Sequence, residues 1–164
     1  MKLTGLMEDM NKKSEVKELI EGIIKTIDLA VLATEGDGQP HASLIKISPI
    51  QSSNHLVFAT YRNTLKFRNI KKNNQVAVLI ESSIINDKGL KQCVILTIIG
   101  YTEEVNATEN EAVYQAHLKR HPDMESFMLS SDCALLKIIA QSYQVVYGID
   151  EISWITADEL YSTL

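Results

Sequence analysis

The chain has 164 residues, 45% of them hydrophobic and 23% charged, which suits one globular domain long enough to bury a core. Its net charge of -5 argues against a general nucleic-acid binder. No run approaches the ~18 apolar residues of a membrane span and no signal-peptide pattern opens the chain, so a cytoplasmic protein without membrane or nucleic-acid partners is expected.

Residues 1–13 are polar and lack clear periodicity, and they read as a flexible N-terminal arm. From Ser14 a helix is expected, because Val16, Leu19, Ile20, Ile23, Ile24 and Ile27 fall on one continuous stripe. Leu29 to Thr34 is a buried-strand run, and Glu35-Gly36-Asp37-Gly38-Gln39 is a hairpin turn in which Asp-Gly supplies positive φ. His41 to Ile50 is the second strand. Ala42, Leu44 and the stem of Lys46 face one way, and Ser43, Ile45 and Ile47 the other.

A third strand, Leu56 to Thr60, runs into a polar turn and a short cationic helix. Asn63 or Thr64 can cap that helix, since a short side-chain oxygen accepts from its first free N–H groups. With Arg62, Lys66 and Arg68 nearby, those N–H groups make a phosphate site; a capped helix with a solvated charged face is the plainer alternative. Gln75 to Glu81 forms a fourth strand and Lys91 to Val105 a long fifth one, bent near Gly100. Thr108 and Glu111 form a capping box for a helix ending near His121, before Pro122. Cys133 to Ile139 is a sixth strand, continued after a turn by Tyr143 to Tyr147, and Ile152 to Ile155 is a last short one. Thr156 and Glu159 make a second capping box. The whole reads as mainly β with peripheral helices, the strands in up-and-down order around a barrel-like antiparallel sheet.

No hydrolase, P-loop or Rossmann pattern occurs, and no pair of carboxylates stands out. Cys93 and Cys133 lie in apolar runs without metal-ligand spacing and are expected as buried free thiols. His117 and His121 share one helical face but lack a third ligand, so they are expected as surface histidines and no metal site is assigned.

Four stretches, in order, resemble the pyridoxamine 5′-phosphate oxidase-like FMN-binding split-barrel family. Phe58-Ala59-Thr60 followed by Thr64-Leu65-Lys66 is similar to its phosphate-binding turn, an aromatic-Tyr-Thr run leading to Ser-Arg-Lys. His41-Ala42-Ser43-Leu44-Ile45-Lys46 resembles its first flavin-lining strand, Arg-x-x-Leu-Leu-Lys. Gln75 to Ile80 resembles the strand after its Asn-Pro turn, and Leu90-Lys91-Gln92-Cys93-Val94 its Leu-x-Arg-Gln-Val strand. The likeness extends to Trp154.

The resemblance implies a six- to seven-stranded antiparallel split β-barrel, residues 14–164 forming a single FMN-binding domain. It implies FMN as cofactor, with His41, Ala42, Ser43, Leu44, Ile45 and Lys46 along one strand, and Ala59, Thr60, Thr64, Leu65 and Lys66 at the phosphate turn. Gln92 and Trp154 complete the set, Gln92 coming from the partner chain of a homodimer with flavin at the subunit interface. The activity implied is that of an oxidoreductase on a small-molecule substrate, because flavin carries its own redox chemistry.

Some positions depart from the family pattern. His41 and Leu65 stand where the oxidase has arginines, and Trp154 is followed by Ile-Thr-Ala-Asp-Glu in place of Arg-Leu-His-Asp-Arg. The expectation is therefore a relative of the oxidase that does not oxidise pyridoxamine phosphate. Haem handling with His117 or His121 as axial ligand, a deazaflavin in place of FMN, and non-catalytic flavin binding in a stress-associated protein are the other expectations carried by the resemblance.

Overall fold

Alternation of apolar residues builds the first hairpin. In the computed structural model, which describes residues 3–50, 54–85, 88–106, 110–147 and 151–161, β1 (Leu29–Gly36) buries Ala30, Leu32 and Thr34 and turns Leu29 and Val31 outward. Asp37 and Gly38, at φ of 55° and 81°, make the two-residue turn, and β2 (Gln39–Lys46) returns antiparallel with Gly36 opposite Gln39. Positive φ at both central residues matches the twist of the flanking strands, which is why Asp-Gly works here.

The helix expected from Ser14 begins earlier: α1 spans Leu3–Thr26, so most of the stretch read as an arm is helical. Leu3, Leu6, Met7 and Met10 have helical spacing and no proline intervenes, a pattern the polar neighbours disguise. Ile20, Ile23 and Ile24 of α1 enter the main core, as their stripe requires.

The strand expected over 41–50 is interrupted. Ile47 donates its N–H to the Asp28 carbonyl at 2.9 Å and accepts from His121 Nε2 at 2.9 Å, so its backbone is satisfied outside the sheet. The chain resumes as β3 (Ser48–Ile50), then β4 (His55–Tyr61), α2 (Leu65–Lys72), β5 (Gln75–Ile85) and β6 (Lys91–Val105). α3 (Glu111–Arg120), a 3-10 turn at Pro122–Met124, α4 (Glu125–Met128), β7 (Cys133–Tyr147), β8 (Glu151–Thr156) and α5 (Ala157–Tyr161) complete it.

The expected split-barrel architecture forms, with eight strands because of that interruption. The sheet order is β2-β1-β5-β6-β7-β4-β3, with β8 also on β7, so the up-and-down order read from the sequence is corrected. β7 is one strand where two were expected. Its register against β6 shifts between Ile99 and Gly100, leaving Gln141 as the extra residue of a bulge. That shift lets one edge of β7 serve β4 with its first half and β8 with its second. Gly100 is needed at the crossing because a Cβ there would strike the Ile139 carbonyl.

Phe58, Leu32, Ile47, Leu96, Ile98 and Ile138 are fully enclosed in the main core, each burial contributing roughly 1.5–3 kcal/mol. β4 is buried on both faces, because Val57 and Ala59 on its other side pack under Met128 and Leu135 with Met124 and Phe127. The Thr156–Glu159 capping box forms, each backbone N–H bound by the other's side chain at 2.9 and 3.2 Å. Thr108 lies outside the described residues; the N-cap of α3 is Asn110, whose side chain makes no capping bond to the helix and donates instead to the Asn106 carbonyl at 3.2 Å. Cys93 is exposed and Cys133 half-buried, which corrects the expectation of two buried thiols: strand alternation puts Cys93 on the outer face.

Candidate functional site

The two edges of the sheet, β2 and β3, are joined by Ile47 alone, so the sheet curls until β2 approaches β4 without pairing to it. A cavity of ≈ 340 Å³ opens at this seam, within the usual size of small-molecule sites. Leu44, Ile45 and Lys46 of β2 form one wall, and Ala59, Thr60 and Tyr61 of β4, with Thr64 and Lys66, form the other.

The turn after β4 is built by its threonines. Thr64 is the N-cap of α2, which settles the choice between Asn63 and Thr64. Its hydroxyl donates to the Tyr61 carbonyl at 2.8 Å, accepts from Phe67 N–H at 3.4 Å, and lies 3.1 Å from the buried Thr60 hydroxyl. Arg68 N–H goes to the Thr64 carbonyl, so the N–H groups of Leu65 and Lys66 are left without an acceptor among the described residues.

Lys66 is half-buried at the cavity and has no carboxylate beside it among the described residues. Burial pushes its pKa down, since a charged ammonium is disfavoured away from water. Arg62 is engaged elsewhere, with Glu104 at 2.5 Å, where the guanidinium holds the carboxyl below its usual range. Lys46 pairs with Asp123.

On β2, two buried polar atoms lack partners among the described residues. His41 Nδ1 and Ser43 Oγ are buried without a hydrogen bond, on the face of β2 that also carries Ile45. Buried polar groups are nearly always satisfied, so these two atoms stand out on β2, although neither residue lines the cavity. An FMN phosphate would suit Lys66 and the two free N–H groups, and the residues present fit that group.

The structure thus gathers Leu44, Ile45, Lys46, Ala59, Thr60, Thr64 and Lys66 around one cavity, with His41, Ala42 and Ser43 along the same strand. Leu65, 46% exposed, starts α2 but does not line the cavity. Gln92 sits near the start of β6 opposite Ile84, and Trp154 lines a separate groove of ≈ 440 Å³ with Lys12, Lys13 and Val16. Neither reaches the cavity within one chain. Tyr61, Asp123, Met124 and Phe127 line it without having been singled out in the sequence. Only the apolar pair Met124 and Phe127, at helical spacing, carried any signal there.

His117 and His121 are not surface residues. They are buried, at 0% and 3% exposure, because α3 presses them against the β2–β3 junction. His117 Nδ1 lies 2.8 Å from Ser48 Oγ, and no cluster of three or more metal-ligating side chains exists among the described residues. No histidine lines the cavity.

The family described as pyridoxamine 5′-phosphate oxidase matches residues 15–146. No curated protein matches the sequence. Among solved structures, a heme binding protein from Mycobacterium smegmatis superposes with a TM-score of 0.76 at 19% identity, over 88% of this chain and 59% of that one. A Clostridium acetobutylicum protein related to general stress protein 26 has a TM-score of 0.65 at 14% identity, over 88% and 99%. A FAD-binding protein from Mesorhizobium loti has 0.64 at 17%, over 80% and 94%. The chain spans about three fifths of the Mycobacterium protein's length, and at these identities the likenesses carry the fold alone.

Proposed function

The chain belongs to the pyridoxamine 5′-phosphate oxidase family, and within it we propose an FMN-binding flavoprotein that acts as an oxidoreductase on a small molecule. The observation that carries this reading is Lys66: a half-buried cation that, among the described residues, has no counter-ion and stands beside two helix N–H groups without acceptors, in a cavity at the sheet's seam. Lys66 with the N–H groups of Leu65 and Lys66 would bind the phosphate. His41 and Ser43 would satisfy further polar groups of the cofactor, and Leu44 and Ile45 would wall the ring system. Flavin, once bound, supplies hydride or electron transfer; the protein binds, orients and tunes it.

We place the working site at a homodimer interface. The strand register aligns Leu44, Val31, Leu79, Thr97, Gln144 and Trp154 in one row across the outer sheet face. Leu44, Val31, Leu79 and Trp154 are 63%, 37%, 42% and 60% exposed. An apolar row of this kind marks an interaction surface, and it begins with Leu44 at the cavity's own rim. A partner covering that face would bring its own Trp154, a member of the row, toward the cavity that Trp154 does not reach within one chain, whereas Gln92 alternates to the opposite face of β6 with Val94.

The substrate differs from pyridoxamine phosphate on this reading, because Lys46 is already paired with Asp123 and Ile155 follows Trp154. The absorption spectrum of freshly purified protein, followed by fluorescence titration with FMN, tests the proposal. Flavin bands and saturable quenching are expected. A Soret band on adding haemin with no response to FMN would overturn it in favour of haem.

A further inference from the structure

Three consecutive residues at the β2–β3 junction are held by one segment. Lys46 pairs with Asp123, the Ile47 carbonyl accepts from His121, and Ser48 Oγ meets His117 Nδ1. Arg120 ties the same segment to Asp28 at 2.8 Å and to the carbonyls of Lys25 and Ile27 at 2.9 and 3.1 Å. Asp123 is therefore fixed at the cavity by a backbone anchored through α3, and not by a long stem of its own.

This arrangement gives the cavity two electrostatically different ends. At one, Lys66 and the start of α2 present uncompensated positive charge. At the other, the charge of Lys46 is already matched, and the wall continues as Met124 and Phe127, whose ring lies 4.0 Å from that of Tyr61. The Asp123 carboxylate is held ionised by Lys46, which lowers its pKa, and it is 67% exposed toward whatever approaches. An anion drawn to Lys46 meets that carboxylate first.

We propose that Asp123 determines substrate charge class: the molecule admitted beside the cofactor is an uncharged planar aromatic, and anions are turned away from Lys46. The inference rests on the flavin reading for the occupant of the Lys66 end. It adds a specificity-determining residue at the opposite end.

Benzamide and benzoate share one ring and shape and differ in charge, so they serve as probes. Wild type, Asp123→Asn and Asp123→Glu are loaded with FMN and titrated with each at neutral pH and low salt. Binding is read from the flavin absorption band and from saturation-transfer NMR. Wild type should favour benzamide, and Asp123→Asn should raise benzoate affinity about five- to tenfold with little change for benzamide. Asp123→Glu should restore the preference. Equal binding of both probes by wild type, an unmoved ratio in Asp123→Asn, or binding of neither probe overturns the proposal. FMN titration of the same samples reports the cofactor reading separately. If FMN fails to bind, the change in the NMR ratio from wild type to Asp123→Asn on the protein alone, Lys66 being the same in both, still decides the role of Asp123.

Discussion

Arg62 gives its guanidinium to Glu104 at 2.5 Å, which leaves Lys66 as the one cation of the 62–68 turn in the cavity wall without a partner. If that lysine holds a phosphate, Lys66→Ala removes a charge-assisted bond of about 1.5–3 kcal/mol. FMN affinity should fall roughly 10- to 150-fold, and riboflavin, lacking the phosphate, should change little. A paired fluorescence titration of both ligands checks this. A like response to the two would remove the phosphate role from this turn.

Leu79 stands at the centre of the exposed apolar row, between Val31 and Thr97. Wild type should scatter light as roughly twice the 18.4 kDa chain. Leu79→Glu sets a charge on that face and should give monomers with unchanged circular dichroism and weakened FMN retention. A dimer that survives the substitution would mean the interface lies elsewhere.

His117 is kept as a neutral imidazole. Burial first, then the charges of His121, Arg120 and Lys46, lower its pKa from 6.5 to about 4. Between those values the unfolded chain binds a proton that the folded chain refuses, so stability is lost as pH falls from about 6.5 toward 4. The loss is of order 3 kcal/mol. Urea midpoints at pH 7 and 4.5 should differ less in His117→Gln than in wild type, the carboxylates being common to both. An equal acid loss in the variant would assign it to other groups.

Gly100 meets the Ile139 backbone where β6 crosses β7 at the bulge. A methyl group there cannot be relieved by a side-chain rotation. Gly100→Ala should cost about 2–3 kcal/mol or more, read as a lower urea midpoint. An unchanged midpoint would mean that the bulge at Gln141 can move.

Much of this fold was legible because its signals are local. Asp37-Gly38 fixes a hairpin, Thr64 caps a helix, and Gly100 marks the bend, each through a requirement of one or two residues. Strand order was not legible: β4 pairs with β7 across a long stretch of chain, and nothing in either sequence names the other. Leu44, Ile45, Lys46, Ala59, Thr60, Thr64 and Lys66, named from β2 and the 58–66 turn, line one cavity. Asp123 escaped notice because an aspartate after a proline looks like turn chemistry until the fold sets it on Lys46. The burial of His117 and His121 was missed for a related reason, since helical spacing shows which side chains share a face but not what covers it.

The seam at which β2 approaches β4 also bears on the order of folding. β1 and β2 join through a two-residue turn, whereas β4 reaches its place only by pairing with β7, and such distant contacts form slowly. The cavity, which needs both strands, should then be completed after the rate-limiting barrier. A ligand seated there would leave the folding rate unchanged and slow unfolding, by tenfold for each ~1.4 kcal/mol of binding. Stopped-flow refolding with and without FMN would reveal this, and a faster folding limb in its presence would place the seam in the nucleus instead.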